Sequence, residues 1–353
     1  MRLLFSCAAA AATLSLAPAL ATAQGVERFS LEGRDVAVYN IVGTMKVEGG
    51  AGDRVTVEVT RVGGDAAQLK IETGELRGRN TLRIRYPADR IVYAERGSGS
   101  RSTFDVQADA TFGDDGDRGW RGRRRIEVRG SGDGLDAHAD VRVIVPKGLT
   151  VRVRNGVGET TVSNVDANLT VSVNSSHLTA SHVRGTLSFE TGSGGIDLSD
   201  ATGDLNLESG SGGATIDGVR GGKLSVDVGS GSLRGRNIET TEVTADVGSG
   251  GLRLAAVKTP RLHLEAGSGG SEVELLSPVD DIDIEAGSGG VTLRLPSSTG
   301  AVLDVETGSG GIDTDFEVKV QRMERHALRG TVGDGRGRIK IEAGSGTVRI
   351  LKN

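Results

Sequence analysis

The chain holds a single cysteine, Cys7, in 353 residues. Cys7 lies in the first apolar stretch, so the body of the chain has no thiol. A disulfide framework, a cysteine-ligated metal and a cysteine nucleophile are excluded together. Aromatic residues make up 3% and prolines number 6. So few aromatics argue against one large conventional core and for a thin aliphatic one repeated many times. Beyond the first twenty or so residues, nothing approaches the roughly 18 consecutive apolar residues of a membrane helix. No Gly-x-Ser-x-Gly elbow leads into a helical pattern, and no Gly-Lys-Ser follows a glycine-rich turn. His138, His177, His182, His263 and His326 show no metal-ligand spacing. The formal charge of −5 gives no electrostatic reason to expect nucleic acid.

The start of the chain reads as a secretory leader. Arg2 supplies the positive end, an apolar stretch runs from Leu3 to about Leu20, and Ala21-Thr22-Ala23 fits a small-x-small cleavage site. Residues 1–23 are the expected signal peptide. The expected product is exported to the periplasm, the cell surface or the medium, with no transmembrane segment.

Glycine, at 55 residues, is abundant and ordered. Gly-Ser-Gly-Gly or a near copy begins at Gly192, Gly210, Gly229, Gly248, Gly267, Gly287 and Gly308, with a partial copy at Gly344. A fixed period near nineteen residues signals one supersecondary unit stacked repeatedly. Aliphatic residues alternate on both sides of each turn, as in Leu187/Phe189 before it and Ile196/Leu198 after it. Period two means strands with one buried face. The prediction is an all-β chain: a single-stranded β-solenoid of two-strand coils over 148–353, after an N-terminal β region over 24–147. An up-and-down meander is the alternative. The turn glycines are expected to supply positive φ. Strands are expected at Asp35–Val42, Arg54–Thr60, Gln68–Thr73, Thr81–Arg85 and Ala139–Val145. A cap unit is expected over about 312–353.

Two residues before each repeat glycine stands an acid: Glu190, Glu208, Asp227, Asp246, Glu265, Glu285, Glu306 and Glu342. Stacking would align them in a file. Hard cations take several carboxylate oxygens, so the file is a candidate row of divalent sites, calcium being the one possible cofactor. The plainer alternative is that each carboxylate accepts hydrogen bonds from turn amides and stays hydrated. That alternative is favoured, because calcium-binding nonapeptide rolls need an Asp after the turn. Here Asp follows the turn only at Asp197 and Asp313, while Thr215, Arg234, Arg253, Glu272 and Thr292 occupy that position elsewhere. A second candidate is a charged loop over 105–129. In it Trp120, Arg121, Arg123, Arg124 and Arg125 would meet a polyanion, against the plainer expectation of a solvated loop.

Residues 150–353 resemble the bacterial putative-adhesin family, an exported β-strand-repeat domain of unknown function. The likeness rests on the hydrophobic-acid-x-Gly-Ser-Gly-Gly repeats and on the closing segments Leu328–Gly335 and Arg338–Ile350. It implies a non-enzymatic β-solenoid and brings no residue-level site. The expected role is therefore a non-catalytic envelope protein making weak multivalent contacts, with an envelope polysaccharide or a surface protein as partner. The alternatives are a polysaccharide-processing β-helix enzyme, which would need clustered carboxylates with Arg or Lys in one groove, and a purely structural or envelope-stress-associated protein.

Overall fold

The computed structural model describes residues 25–113 and 122–353, and it is a β-solenoid of parallel, in-register coils. Along one face Leu187 opposes Leu205, Leu205 opposes Leu224, Leu224 opposes Val243, Val243 opposes Leu262 and Leu262 opposes Ile282. Along the other, Ile196 opposes Ala214, then Leu233, Leu252, Ser271 and Val291 follow. Parallel pairing excludes the meander, whose neighbouring segments would run antiparallel. The alternate aliphatic residues point inward as the period-two pattern requires. Leu187, Phe189, Leu262, Leu264, Ile282 and Ile284 are all buried. Each coil thus adds a few side chains to one continuous apolar interior.

The glycine turns work differently from expectation. None of the Gly-Ser-Gly-Gly glycines lies in the left-handed region. They are small because the coils approach closely there. A Cβ on Gly210 would sit 2.4 Å from the carbonyl oxygen of Gly192, and one on Gly212 would sit 2.1 Å from that of Gly194. The ladder therefore continues through the turn, with Gly210 N–H donating to Thr191 O (2.9 Å) and Ser211 N–H to Gly192 O (3.1 Å). Positive φ falls at the opposite corner instead. Asn164, His182, Asp200, Gly218, Asn237 and Ala256 hold one slot there, once per coil, with φ between 50 and 75°. The next residue in each case, Val165, Val183, Ala201, Val219, Ile238 or Val257, turns inward on a short third side.

At the N-terminal end, Asp35–Val42 and Met45–Gly50 form a coil of the same stack. They pair in parallel with Thr150–Val157 and Thr160–Ser163. Beyond this coil, Arg79–Arg85 and Lys70–Leu76 extend one face, and His138–Pro146, Val55–Val62 and Glu27–Leu31 extend the other. The outermost pairings are antiparallel, which ends the stack with a change of direction. The buried amides of Asn40 and Asn155 lie in register and satisfy corner carbonyls. Asn155 Nδ2 donates to Gly43 O (3.0 Å) and Gly158 O (3.1 Å), and Asn40 Nδ2 donates to Ala139 O (2.8 Å). The Tyr86 hydroxyl donates to Val42 O at 2.7 Å. Burial drives its pKa far above the usual phenol range, so it stays a donor.

The C-terminal end departs from the expected cap over about 312–353. Strand Ala301–Thr307 does not stack on its predecessor Asp281–Ala286. Strand Gly337–Ala343 lies between them, parallel to both, and Val348–Lys352 likewise lies between Val291–Leu295 and Ile312–Thr314. The last coil of the sequence is thus an interior coil in space. The end of the stack is instead a hairpin, Val318–Glu324 with Ala327–Val332, set antiparallel on Ala301–Thr307. The inserted strand matches both walls: Ile339 and Ile341 lie in register with Ile282 and Ile284 on one side and with Leu303 and Val305 on the other.

Candidate functional site

The acids two residues before each turn lie on alternate, outward positions of one face. Register places Glu190 beside Glu208, then Asp227, Asp246, Glu265 and Glu285 in sequence order. Glu342 comes next and Glu306 last. The file holds eight carboxylates in contiguous coils, and neighbouring strands lie ~4.8 Å apart. Turn amides do not hydrogen-bond to them. Those amides donate to the preceding coil's carbonyls, which corrects the expectation of amide-bound carboxylates.

Cations stand mainly at the extremities. Arg154, buried beside Phe104 and Phe112, approaches Glu190 at 3.5 Å, where Ser172 also donates at 2.6 Å. At the other end Lys340 reaches Glu342 at 2.7 Å, and Arg329 approaches Glu306 at 3.6 Å. Between the ends Asp246 stands among like charges. Desolvation first, and then the neighbouring Asp227 and Glu265 charges, raise its carboxyl above the usual range, with His263 opposing. A shallow groove follows the file. One widening of about 530 Å³ lies under Phe104, Phe112 and Arg154, and another of about 570 Å³ lies along Asp246, Glu265, Glu285, Glu342 and Glu306.

A neighbouring file on the same face shows what an electrostatically relaxed stack looks like. Six residues before the turn, six consecutive coils carry Asp204, Lys223, Glu242, Arg261, Asp281 and Arg338, so the sign alternates along them, with the uncharged Thr186 and Val302 at the two ends of the file. Lys223–Glu242 closes at 2.9 Å, Arg261–Glu242 at 3.6 Å and Arg338–Asp281 at 3.7 Å. These ion pairs depress the Glu242 pKa, Lys223 chiefly. Sequence reading passed over this file, although the spacing to each turn glycine would have revealed it. Opposite charges facing across a ladder stabilise and like charges destabilise. One file follows that rule, and the acid file breaks it throughout.

Among the described residues, no group of three or more His, Cys, Asp or Glu side chains is arranged to hold a metal ion. His177 and His263 pair with Asp197 (2.9 Å) and Glu265 (3.1 Å) on the exposed surface. Of the expected polyanion loop, Trp120 and Arg121 lie outside the described residues, as does the expected signal peptide. The remainder is less loop-like than expected. Arg101–Val106 and Arg124–Arg129 form an antiparallel pair, with Arg90–Val92 on the other side of the latter. Arg124 is held by Asp89 at 2.7 Å and donates to Tyr86 O. Arg125 is exposed opposite Asp105, and Arg123 precedes the strand. This small sheet is fastened to the coils by Ser102 and Arg96, which both meet Ser175. No described helix is long and apolar enough to cross a membrane.

No curated protein matches the chain. A solved structure described as a "putative cell adhesion protein" from Clostridium sporogenes aligns at 12% identity, covering 93% of this chain and all of that one, with a TM-score of 0.21. A family model described as Toastrack DUF4097 matches residues 137–351. That span takes in the Gly-Ser-Gly turns from Gly192 to Gly344 and the whole acid file, and the chain belongs to the Toastrack DUF4097 family.

Proposed function

We propose that this chain is an exported, non-catalytic, adhesin-like β-repeat protein that binds or scaffolds at the cell envelope through weak, multivalent contacts. The acid file is its contact edge. The observation that supports this is the contrast between the two files. The same fold alternates charge along one file and keeps a single sign along the other, at a cost in repulsion. Single-sign charge at a regular spacing suits a repeating partner that carries positive charge, its own or bridging cations. An amine-bearing or cation-decorated envelope polysaccharide has that chemistry, and so does a basic segment of a surface protein. Shallow equivalent sites gain affinity through effective concentration when the partner is long. A polysaccharide-processing site would cluster carboxylates with Arg or Lys in one groove. The file contributes one acid per coil, and where acids do gather, Asp283, Glu285 and Glu342 are tied up as ion pairs with Lys340, which favours a scaffold.

The test is an array of envelope polysaccharides and basic peptides of graded length, probed with the purified chain, with product release assayed in the same wells. Binding that strengthens steeply with ligand length, falls with salt and releases no product is expected. Replacing Glu208, Asp227, Asp246 and Glu265 by their amides should remove it. Turnover, or binding indifferent to those four changes, would refute the proposal.

A further inference from the structure

The out-of-order C-terminal coil has a consequence for assembly. Each coil from Thr150 to Leu295 is laid on the one before it. The coil 337–352 instead enters a slot whose two walls, coils 281–295 and 301–314, both precede it in the sequence. Without it, strand edges on both walls would present unpaired N–H and C=O groups, which are ready templates for an incoming strand. The segment carries what the slot needs. Ile339, Ile341, Val348 and Ile350 are buried in it, and its cations face acids of the walls. Arg338 reaches Asp281 at 3.7 Å, Lys340 reaches Asp283 and Glu285 at 3.9 Å, and Arg349 reaches Asp313 at 4.0 Å. At its far end the Asn353 N–H donates to Leu295 O at 2.9 Å, on one of the walls. At its other end it hangs from one exposed turn, Gly333-Asp334-Gly335-Arg336, with both glycines at positive φ.

We propose that this slot is a strand acceptor, and that residues 337–353 of a second copy of the chain fill it, giving a reciprocal C-terminally exchanged dimer. Exchange reproduces the contacts that residues 337–353 make with the slot and costs the 333–336 turn, including the Gly335 N–H to Val332 O bond (3.1 Å). That is why swapping an identical element is a low-cost route to a dimer. Donor-strand addition to a sheet edge obeys the same hydrogen-bond logic.

Glu285 and Glu342 are partners in register across the slot, and both are half exposed. In-register parallel neighbours stand within disulfide reach, the Cα–Cα range being roughly 4.4–6.8 Å. In a Cys7→Ser background, two single variants, Glu285→Cys and Glu342→Cys, are mixed, unfolded, refolded together over a range of concentrations and oxidised. The expected product is a disulfide heterodimer. Its ratio to monomer rises about tenfold for each tenfold rise in chain concentration, as mass action requires. A Glu190→Cys and Glu342→Cys mixture is the control, because Glu190 stands about five coil heights, roughly 24 Å, from Glu285 along the file. The double variant Glu285→Cys/Glu342→Cys, refolded dilute, should close its bridge within one chain, which reports correct folding. If the double variant closes internally but the mixed singles give no more heterodimer than the control at the highest concentration, the proposal is overturned.

Discussion

At the residue scale, charge and backbone conformation each leave one position out of line with its surroundings. Asp246 is the clearest case of charge. Its pKa is raised in the folded chain, so the native state holds that proton more tightly than the unfolded state does. Stability therefore falls as pH rises from the ordinary carboxyl range through the raised value, and the penalty is fully present at neutral pH. Asp246→Asn should raise the melting temperature at pH 7 by about 1–2 °C, the effect of a few tenths of a kcal/mol. The gain should disappear near pH 3.5 and shrink in molar salt. Thermal melts of the two proteins across pH check this, and a variant that melts lower at pH 7 contradicts it. Ala256 is the case of conformation. It occupies with φ 53° a slot elsewhere held by Asn, His, Asp or Gly. Left-handed backbone costs an ordinary L-residue roughly 1–2 kcal/mol, and Asn less because its short polar side chain bonds locally. Ala256→Asn should stabilise the fold by about 0.5–1 kcal/mol, read as a higher denaturation midpoint at unchanged slope.

At the element scale, the crowded glycine turn and the left-handed corner are two unlike corners of the coil, and they were unequally legible. Period-two alternation around the turns at Gly192 to Gly308 identified inward residues such as Leu264 and Ile284 correctly, because burial on one face leaves a direct trace in composition. The reason for the glycines was not legible, since crowding from a neighbouring coil is a property of the stack. Crowding predicts a contrast that positive φ would not. Gly212→Ala drives a methyl against a backbone carbonyl and should cost on the order of 3 kcal/mol. Gly311, which has nothing within 4 Å of its Cβ position, should accept alanine with a change under about 0.5 kcal/mol. Denaturant melts of both variants decide, and equal costs would refute crowding as the cause. The left-handed corner escaped notice because its residues share a backbone state and no side-chain type.

At the scale of the whole molecule, local periodicity could not reveal order in space. The repeats at Gly287, Gly308 and Gly344 are similar enough that the sequence alone suggests they stack in the order they are written. Only the register shows Glu342 between Glu285 and Glu306. The same limit applies to Asp35–Gly50, which lacks the glycine signature and still forms a coil, because Gly43 and Asn40 make its corner by other means. The acid file was legible in full as a list of residues. Its contrast with the charge-alternating file four residues earlier along the same face became visible once the register aligned the coils.

The in-register stacking makes the molecule a ruler. Duplicating the nineteen residues from Gly210 to Val228 would lengthen the prism by one strand spacing, ~4.8 Å, and add one carboxylate to its edge while leaving the cross-section unchanged. Reach and edge charge would then grow in fixed proportion, each set by how many times one short cassette is written.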